Sequence, residues 1–249
     1  MSLRSRRRFR SGWRRMPTAI SRGIYYVDDN GRMEYVRSAR SDDGVLTVSV
    51  AHFSKYAALQ VDAAFTDVPS AHWAWKAVRS LAAKQVVNGT APARFDPSRQ
   101  VTRAEFAAML SRSLGLAAPQ KEASPFGDVA PGVWYGDAVA AAAEAGIVNG
   151  RSASAFAPNE GITREEMAVM LMRAYDYANA DAASAAGDAE TGAAAPFADA
   201  AAFSGWAAGA IDRAAGLGLL SGRDGRVFDA KSGLTRAESA QALYKLLDL

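Results

Sequence analysis

Three short phrases of the sequence bring a hydroxyl, a guanidinium and a carboxylate together at one spacing. They are Thr102-Arg103-Ala104-Glu105, Thr163-Arg164-Glu165-Glu166 and Thr235-Arg236-Ala237-Glu238. Each opens a run with apolar residues at helical spacing, and Thr three residues ahead of Glu is a capping box. The hydroxyl accepts from a free first-turn amide, and the carboxylate reaches back to the Thr amide. Capping accounts for Thr and Glu but not for Arg. A cation in the first turn sits against the positive end of the helix dipole, which costs roughly 0.3–1 kcal/mol. Three such arginines predict an anionic group docking at each helix start. A salt bridge to a neighbouring carboxylate is the alternative.

Other chemistry is largely excluded. The chain has no Cys and only two His, His52 and His72, so thiolate zinc sites, Cys nucleophiles and His-based metal ligation have no residues to draw on. His52 reads as a strand-edge residue. No Gly-rich phosphate loop, His-Glu-x-x-His or Gly-x-Ser-x-Gly motif is present. Glu165 and Glu166 are adjacent, and neighbours on a helix do not face each other. No catalytic residue, cofactor or metal is expected, and the chain is read as a non-enzyme.

The elements that position the three phrases come from a repeat. Its units begin Phe65-Thr66-Asp67, Phe126-Gly127-Asp128 and Phe197-Ala198-Asp199, and each continues to Trp73, Trp134 or Trp206. Fifteen residues on stand Asn88-Gly89, Asn149-Gly150 and Ser221-Gly222, and 14 residues later the capping Thr. Phe95, Phe156 and Phe228 lie between, with Pro97 and Pro158 two residues after the first two. The constant Trp-to-Thr spacing makes each unit a rigid helix–loop–helix module.

Ala77, Val78 and Leu81 mark one face of the first helix in the first unit, as Val139 and Ala142 do in the second and Ile211 and Ala214 in the third. The second helices bury Phe106, Met109 and Leu110, then Met167, Met170 and Leu171, then Ala240, Leu243 and Leu247. Such short helices are marginal alone, so the units must pack on one another. Gly89, Gly150 and Gly222 are expected to take the left-handed conformation at a tight turn. The three Trp read first as core residues and second as sugar platforms. For Asp67, Asp128 and Asp199 a turn or cap role stands beside hydrogen bonding to sugar hydroxyls.

Hydrophobic residues make up 49% of the 249 and charged residues 22%, in keeping with a folded chain, and no run of 18 apolar residues suggests a membrane span. The net charge of +3 is a terminal effect. Residues 1–22 hold eight Arg and no acid, and without them 21 basic residues face 26 acidic ones. The body is mildly acidic, so its charge makes no case for nucleic-acid binding.

Organisation follows from these signals. Residues 1–22 are expected to be a basic, disordered N-terminus. Ser5-Arg6-Arg7-Arg8-Phe9 resembles the start of a twin-arginine export signal, but no apolar stretch follows. Residues 23–62 are β-rich: Asn30-Gly31 joins two β-prone runs as a hairpin, and Val45 to Val50 alternate as a half-buried strand should. This segment reads as a remnant of a larger β-sandwich. The repeats occupy 63–118, 124–178 and 196–249, with an Ala/Gly-rich linker over 179–195.

Phe-x-Asp, Trp, Gly146-Ile147-Val148-Asn149-Gly150, Phe-x-Pro and Thr-Arg-Ala/Glu-Glu together resemble the S-layer homology repeat, with three tandem copies from Phe65 to Leu249. The resemblance implies a mainly α fold in which the units form a pseudo-threefold bundle, one helix of each at the centre and grooves between the arms. It implies a monomeric, extracellular, cell-wall-associated protein. The grooves would bind an anionic polysaccharide attached to peptidoglycan, the secondary cell wall polymer, often through a pyruvylated N-acetylmannosamine end group. The ligand residues it implies are Arg103, Arg164, Arg236, Asp67, Asp128, Asp199, Trp73, Trp134, Trp206, Gly89, Gly150 and Gly222. A pyruvyl carboxylate would suit the planar guanidinium fork. A helical protein-binding scaffold, or the C-terminal anchor of an exported hydrolase, are the alternatives. The sequence departs from the pattern at Gln85 (Gly146 and Gly218 elsewhere), at Ser221 (for Asn) and at Ala230 (for Pro).

Overall fold

The computed structural model describes residues 5–9, 22–40, 46–50, 54–117, 119, 124–180 and 197–248. His52, the apolar-poor stretch after Phe9 and nearly all of the linker over 179–195 lie outside them. The chain divides into two compact units, Met1–Phe95 and Asp96–Leu249.

Among the described residues, the first unit holds six strands and one helix. Strands β1 (Ser5–Phe9), β5 (Leu46–Val50) and β4 (Ser38–Arg40) form one antiparallel sheet in the order β1-β5-β4. Strands β3 (Met33–Val36), β2 (Arg22–Val27) and β6 (Lys55–Gln60) form the other, in the order β3-β2-β6. Within the stretch expected to lack structure, Ser5–Phe9 is therefore a strand, paired from Ser5 opposite Val50 to Phe9 opposite Leu46. The Asn30-Gly31 hairpin forms as expected, with Ile24 opposite Val36 and Val27 opposite Met33.

Helix α1 (Trp75–Ala83) is held to the second sheet by polar contacts. The buried Tyr25 hydroxyl donates to the Ala83 carbonyl. Burial, with Tyr35 close by, pushes the Tyr25 phenol up to about 12, so it stays a donor. The Gln85 side-chain oxygen accepts from the Tyr35 amide at 2.8 Å, and its nitrogen donates to the Met33 carbonyl at 2.9 Å. Gln85 thus pairs with the edge of β3 as another strand would. It sits at φ 56°, the left-handed position that Gly146 and Gly218 fill at φ 70° and 71°. A side chain there costs about 1 kcal/mol, which two hydrogen bonds to an edge strand offset.

The second unit is helical: α2 (Arg103–Leu114), α3 (Gly136–Glu144), α4 (Arg164–Ala178), α5 (Gly205–Gly216) and α6 (Arg236–Asp248). Helices α2, α4 and α6 pack pairwise, while α3 lies on α2 and α5 on α4. Ahead of the three packed helices, a ring of backbone hydrogen bonds closes on itself. Val101 N donates to Leu234 O (2.9 Å), Leu234 N to Ile162 O (3.0 Å) and Ile162 N to Val101 O (3.0 Å). All three side chains are fully buried. Amides with no water must be paired, and here each repeat supplies the partner of the next.

Candidate functional site

The three capping phrases behave alike. Glu105 N donates to Thr102 Oγ1 at 3.2 Å and Thr102 N to a Glu105 carboxylate oxygen at 2.9 Å, and the box recurs at Thr163/Glu166 and Thr235/Glu238. The next two amides of each helix are also taken. Arg103 N and Ala104 N donate to the carbonyls of Glu160 and Pro158; Arg164 N and Glu165 N to those of Ser232 and Ala230; Arg236 N and Ala237 N to those of Arg99 and Pro97. The helix starts that sequence reasoning opened to an external anion are therefore filled by loop carbonyls of another repeat.

The arginines point the same way. Arg103, Arg164 and Arg236 are only 3%, 4% and 7% exposed. Arg103 Nε donates to Phe156 O (2.9 Å), Nη1 to Glu166 (2.9 Å) and Nη2 to Asn149 O (3.0 Å). Arg164 repeats the set with Phe228 O (2.7 Å), Glu238 (2.9 Å) and Ser221 O (3.0 Å). Each guanidinium also lies over a ring, Arg103 over Phe156 at 4.8 Å and Arg164 over Phe228 at 4.6 Å. Burial lowers the pKa of both, against the pull of the paired glutamates. The cost of a cation against the helix dipole is thus offset inside the protein. Each of these two arginines clamps the loop at the buried Phe and the turn of the following repeat.

A second rank of arginines was not singled out by sequence reasoning. Arg151 and Arg223 each follow the turn Gly, with side chains 41% and 39% exposed. Arg151 pairs with Glu160 and, at 3.2 Å, with Glu166; Arg223 pairs with Asp229 and, at 3.2 Å, with Glu238. Glu166 and Glu238 therefore each receive one buried and one half-exposed guanidinium. The signal lay in the recurrence of Arg directly after Asn149-Gly150 and Ser221-Gly222, which Thr90 breaks in the first unit.

The Trp residues overturn the first reading. Trp73, Trp134 and Trp206 are 60%, 63% and 60% exposed, so none belongs to the core. The phenylalanines do: Phe95, Phe156 and Phe228 are fully buried, stacked or tilted on Phe65, Phe126 and Phe197 at 5.3–5.4 Å.

The aspartates are loop fasteners. Asp67 accepts from Phe95 N; Asp128 from Phe156 N and Ala157 N; Asp199 from Phe228 N and Asp229 N. Desolvation works against the charge of Asp128 and Asp199, but these amide donors outweigh it and hold both below the usual carboxylate range.

The turn glycines need correction as well. The left-handed residues are Gln85, Gly146 and Gly218, four positions earlier. Gly89 and Gly150 are required for space: a Cβ on Gly150 would lie 2.3 Å from Ser152 O and 2.6 Å from Ala155 O, and one on Gly89 would lie 2.6 Å from Arg94 O. Gly222 would meet Val227 O at 2.9 Å.

Among the described residues, no His, Cys, Asp and Glu cluster could hold a metal, and no helix is long and apolar enough to cross a membrane.

Residues 64–107, 125–168 and 196–240 match the S-layer homology domain family. The chain belongs to that family. It is 36% identical over 225 residues to an amylopullulanase of Thermoanaerobacterium thermosulfurigenes, covering 90% of this chain and 12% of that protein. It is 37% identical over 183 residues to an endoglucanase of Bacillus sp. (strain KSM-635), covering 74% and 18%. To the S-layer protein sap of Bacillus anthracis it is 32% identical over 184 residues, covering 73% and 21%. The chain therefore spans a fifth or less of the two glycanases and about a fifth of the S-layer protein.

Proposed function

We propose that the three repeats form a non-covalent anchor for an anionic polysaccharide of the bacterial cell wall, on the outside of the cell. The observation that carries this reading is the tryptophan set. Three equivalent indole rings are left about 60% exposed, more than any other large apolar residue among the described residues, Met33 and Tyr177 being 42% and 48% exposed. A ring that is apolar on its face and polar at its N–H suits a sugar, and the same exposure recurs at the same place in all three units. Half-exposed Arg151 and Arg223 stand on the turns that the buried arginines clamp, and supply positive charge for an acidic saccharide group.

In this reading Arg103, Arg164 and Arg236 hold the site together, and contact with the ligand falls mainly to Trp73, Trp134, Trp206, Arg151 and Arg223. The aspartates and turn glycines shape the loops between them. The pyruvylated N-acetylmannosamine end group of a secondary cell wall polymer has the required chemistry: a pyranose face beside one carboxylate. The relatives support the same role, since the matched region recurs in S-layer proteins and in glycanases of otherwise different kinds. No reaction is required of the repeats.

Co-sedimentation tests the proposal. The chain should pellet with polymer-bearing cell wall sacculi and remain in solution when the polymer has been chemically stripped. Equal pelleting with both would remove the polysaccharide from the account.

A further inference from the structure

The three exposed indoles are alike in exposure but not in support. In the first repeat His72 stands directly ahead of Trp73, where the other two repeats have Val133 and Gly205. Its imidazole stacks on the Trp73 ring, with centroids 5.5 Å apart and planes 25° from parallel. Trp134 meets the ring of Tyr135 in a T-shaped contact, at 5.3 Å and 87°. Among the described residues, the ring contacts of the third repeat run between Phe197, Phe203 and Phe228 and leave out Trp206.

His72 is itself held in place. Its amide donates to Pro69 O at 2.8 Å, and its carbonyl accepts from Trp75 N at 2.9 Å, in the turn that leads into α1. Its Nδ1 accepts from Ala74 N at 3.1 Å. Ala74 is fully buried, so its amide has no water to turn to, and the bond fixes the imidazole. A ring that cannot turn therefore supports one that otherwise would. Stacking engages one face of Trp73, and with 60% of the residue exposed the opposite face stays open.

A surface indole that turns freely must be ordered when a ligand stacks on it, and ordering one side chain weakens binding by roughly two- to tenfold. In Trp73 that ordering is in place before any ligand arrives.

We propose that His72 is a positioning residue for the first sugar platform: tied to the start of α1 and stacked on one face of Trp73, it fixes the indole so that the other face is ready for a pyranose. The first repeat then carries the most preorganised of the three platforms, and the third repeat the least. The inference rests on the anchoring role proposed above and adds how one of its contacts is set.

Nuclear magnetic resonance of the indole N–H groups in the full chain tests it, with Trp→Phe variants for assignment and the methyl glycoside of pyruvylated N-acetylmannosamine as probe. Relaxation should show the Trp73 indole more ordered than that of Trp206 before any glycoside is added. His72→Asn removes the ring but keeps a side-chain oxygen able to accept from the amide two residues on, so the turn into α1 should survive and the melting temperature should hold. In this variant the Trp73 indole should become as mobile as that of Trp206. Its titration midpoint should rise about fivefold, with those of Trp134 and Trp206 unchanged. A merely structural His72 would instead move the melting temperature and leave the motion and the midpoint of Trp73 alone.

A Trp73 indole as mobile as Trp206 in the unaltered chain would overturn the inference without any variant, as would a Trp73 signal that the glycoside does not shift. So would a folded His72→Asn chain in which the Trp73 midpoint is unmoved. If sacculi pellet with the unaltered chain while any of these results is found, the anchor stands and only the part given to His72 falls. If no indole responds and sacculi do not pellet, both fall together.

Discussion

Arg164 shows how far a residue's surroundings redirect its chemistry. By position it faces the dipole of its own helix. By contact it serves a carbonyl 64 residues away, another 57 residues away and a glutamate 74 residues away. Removing a buried charge while its partners remain is among the more damaging substitutions, typically 3–5 kcal/mol. Glu238 is also served by Arg223, so the lower part of that range applies. Arg164→Ala should lower stability by about 3 kcal/mol, seen as a drop in the urea midpoint at unchanged slope. Taken from the sequence alone, the same change would leave helicity intact and firm the helix start by relieving the dipole; a stabilised variant would restore that view. Arg164→Lys should recover only part of the loss, because an ammonium cannot form the three-way fork.

At the scale of elements, the departure at Gln85 has a physical account. The Gly-to-Gln change loses backbone freedom at the end of α1 and gains two hydrogen bonds to the edge of β3. An edge strand presents unpaired groups, and the amide of a side chain covers one donor and one acceptor. Gln85→Gly should relieve the left-handed strain yet free β3. Amide exchange at Tyr35 should accelerate by about fivefold, since one exposed hydrogen bond contributes about 1 kcal/mol. Unchanged protection of Tyr35 would mean that the sheet holds to α1 through Tyr25 alone.

For the molecule as a whole, stability should depend on pH from the acid side. Glu105, Glu238, Asp128 and Asp199 all sit below their ordinary range: burial opposes their charge, but Arg99, the capping amides and the loop amides prevail. A carboxylate whose pKa is lower in the folded than in the unfolded chain contributes stability that is present above the unfolded value. That contribution is lost as pH falls through the folded value. The melting temperature should hold level from pH 7 to about 5, then fall below about pH 4, where unfolded carboxylates take up protons first. A melting temperature that rose on acidification would contradict the inward-facing role of these groups.

The sequence alone determined the modules and their ends. Capping boxes, helical apolar faces and the Asn30-Gly31 hairpin are interactions within a few residues, so they are written where they act, and the constant Trp-to-Thr spacing of the three units shows that they recur in register. Those same signals could not place Trp134, because a ring beside a helix start is equally suited to a core or a surface until its neighbours are known. Nor could they separate Gly150 from Gly146: one is needed for its φ angle, the other because backbone carbonyls crowd it. Only the tertiary structure decided that Arg103 and Arg164 turn inward. Their partners lie 46 to 74 residues away along the chain, and only the closing of one repeat on the next brings carbonyl and guanidinium together. Burial then removes the water that would have left the arginines free.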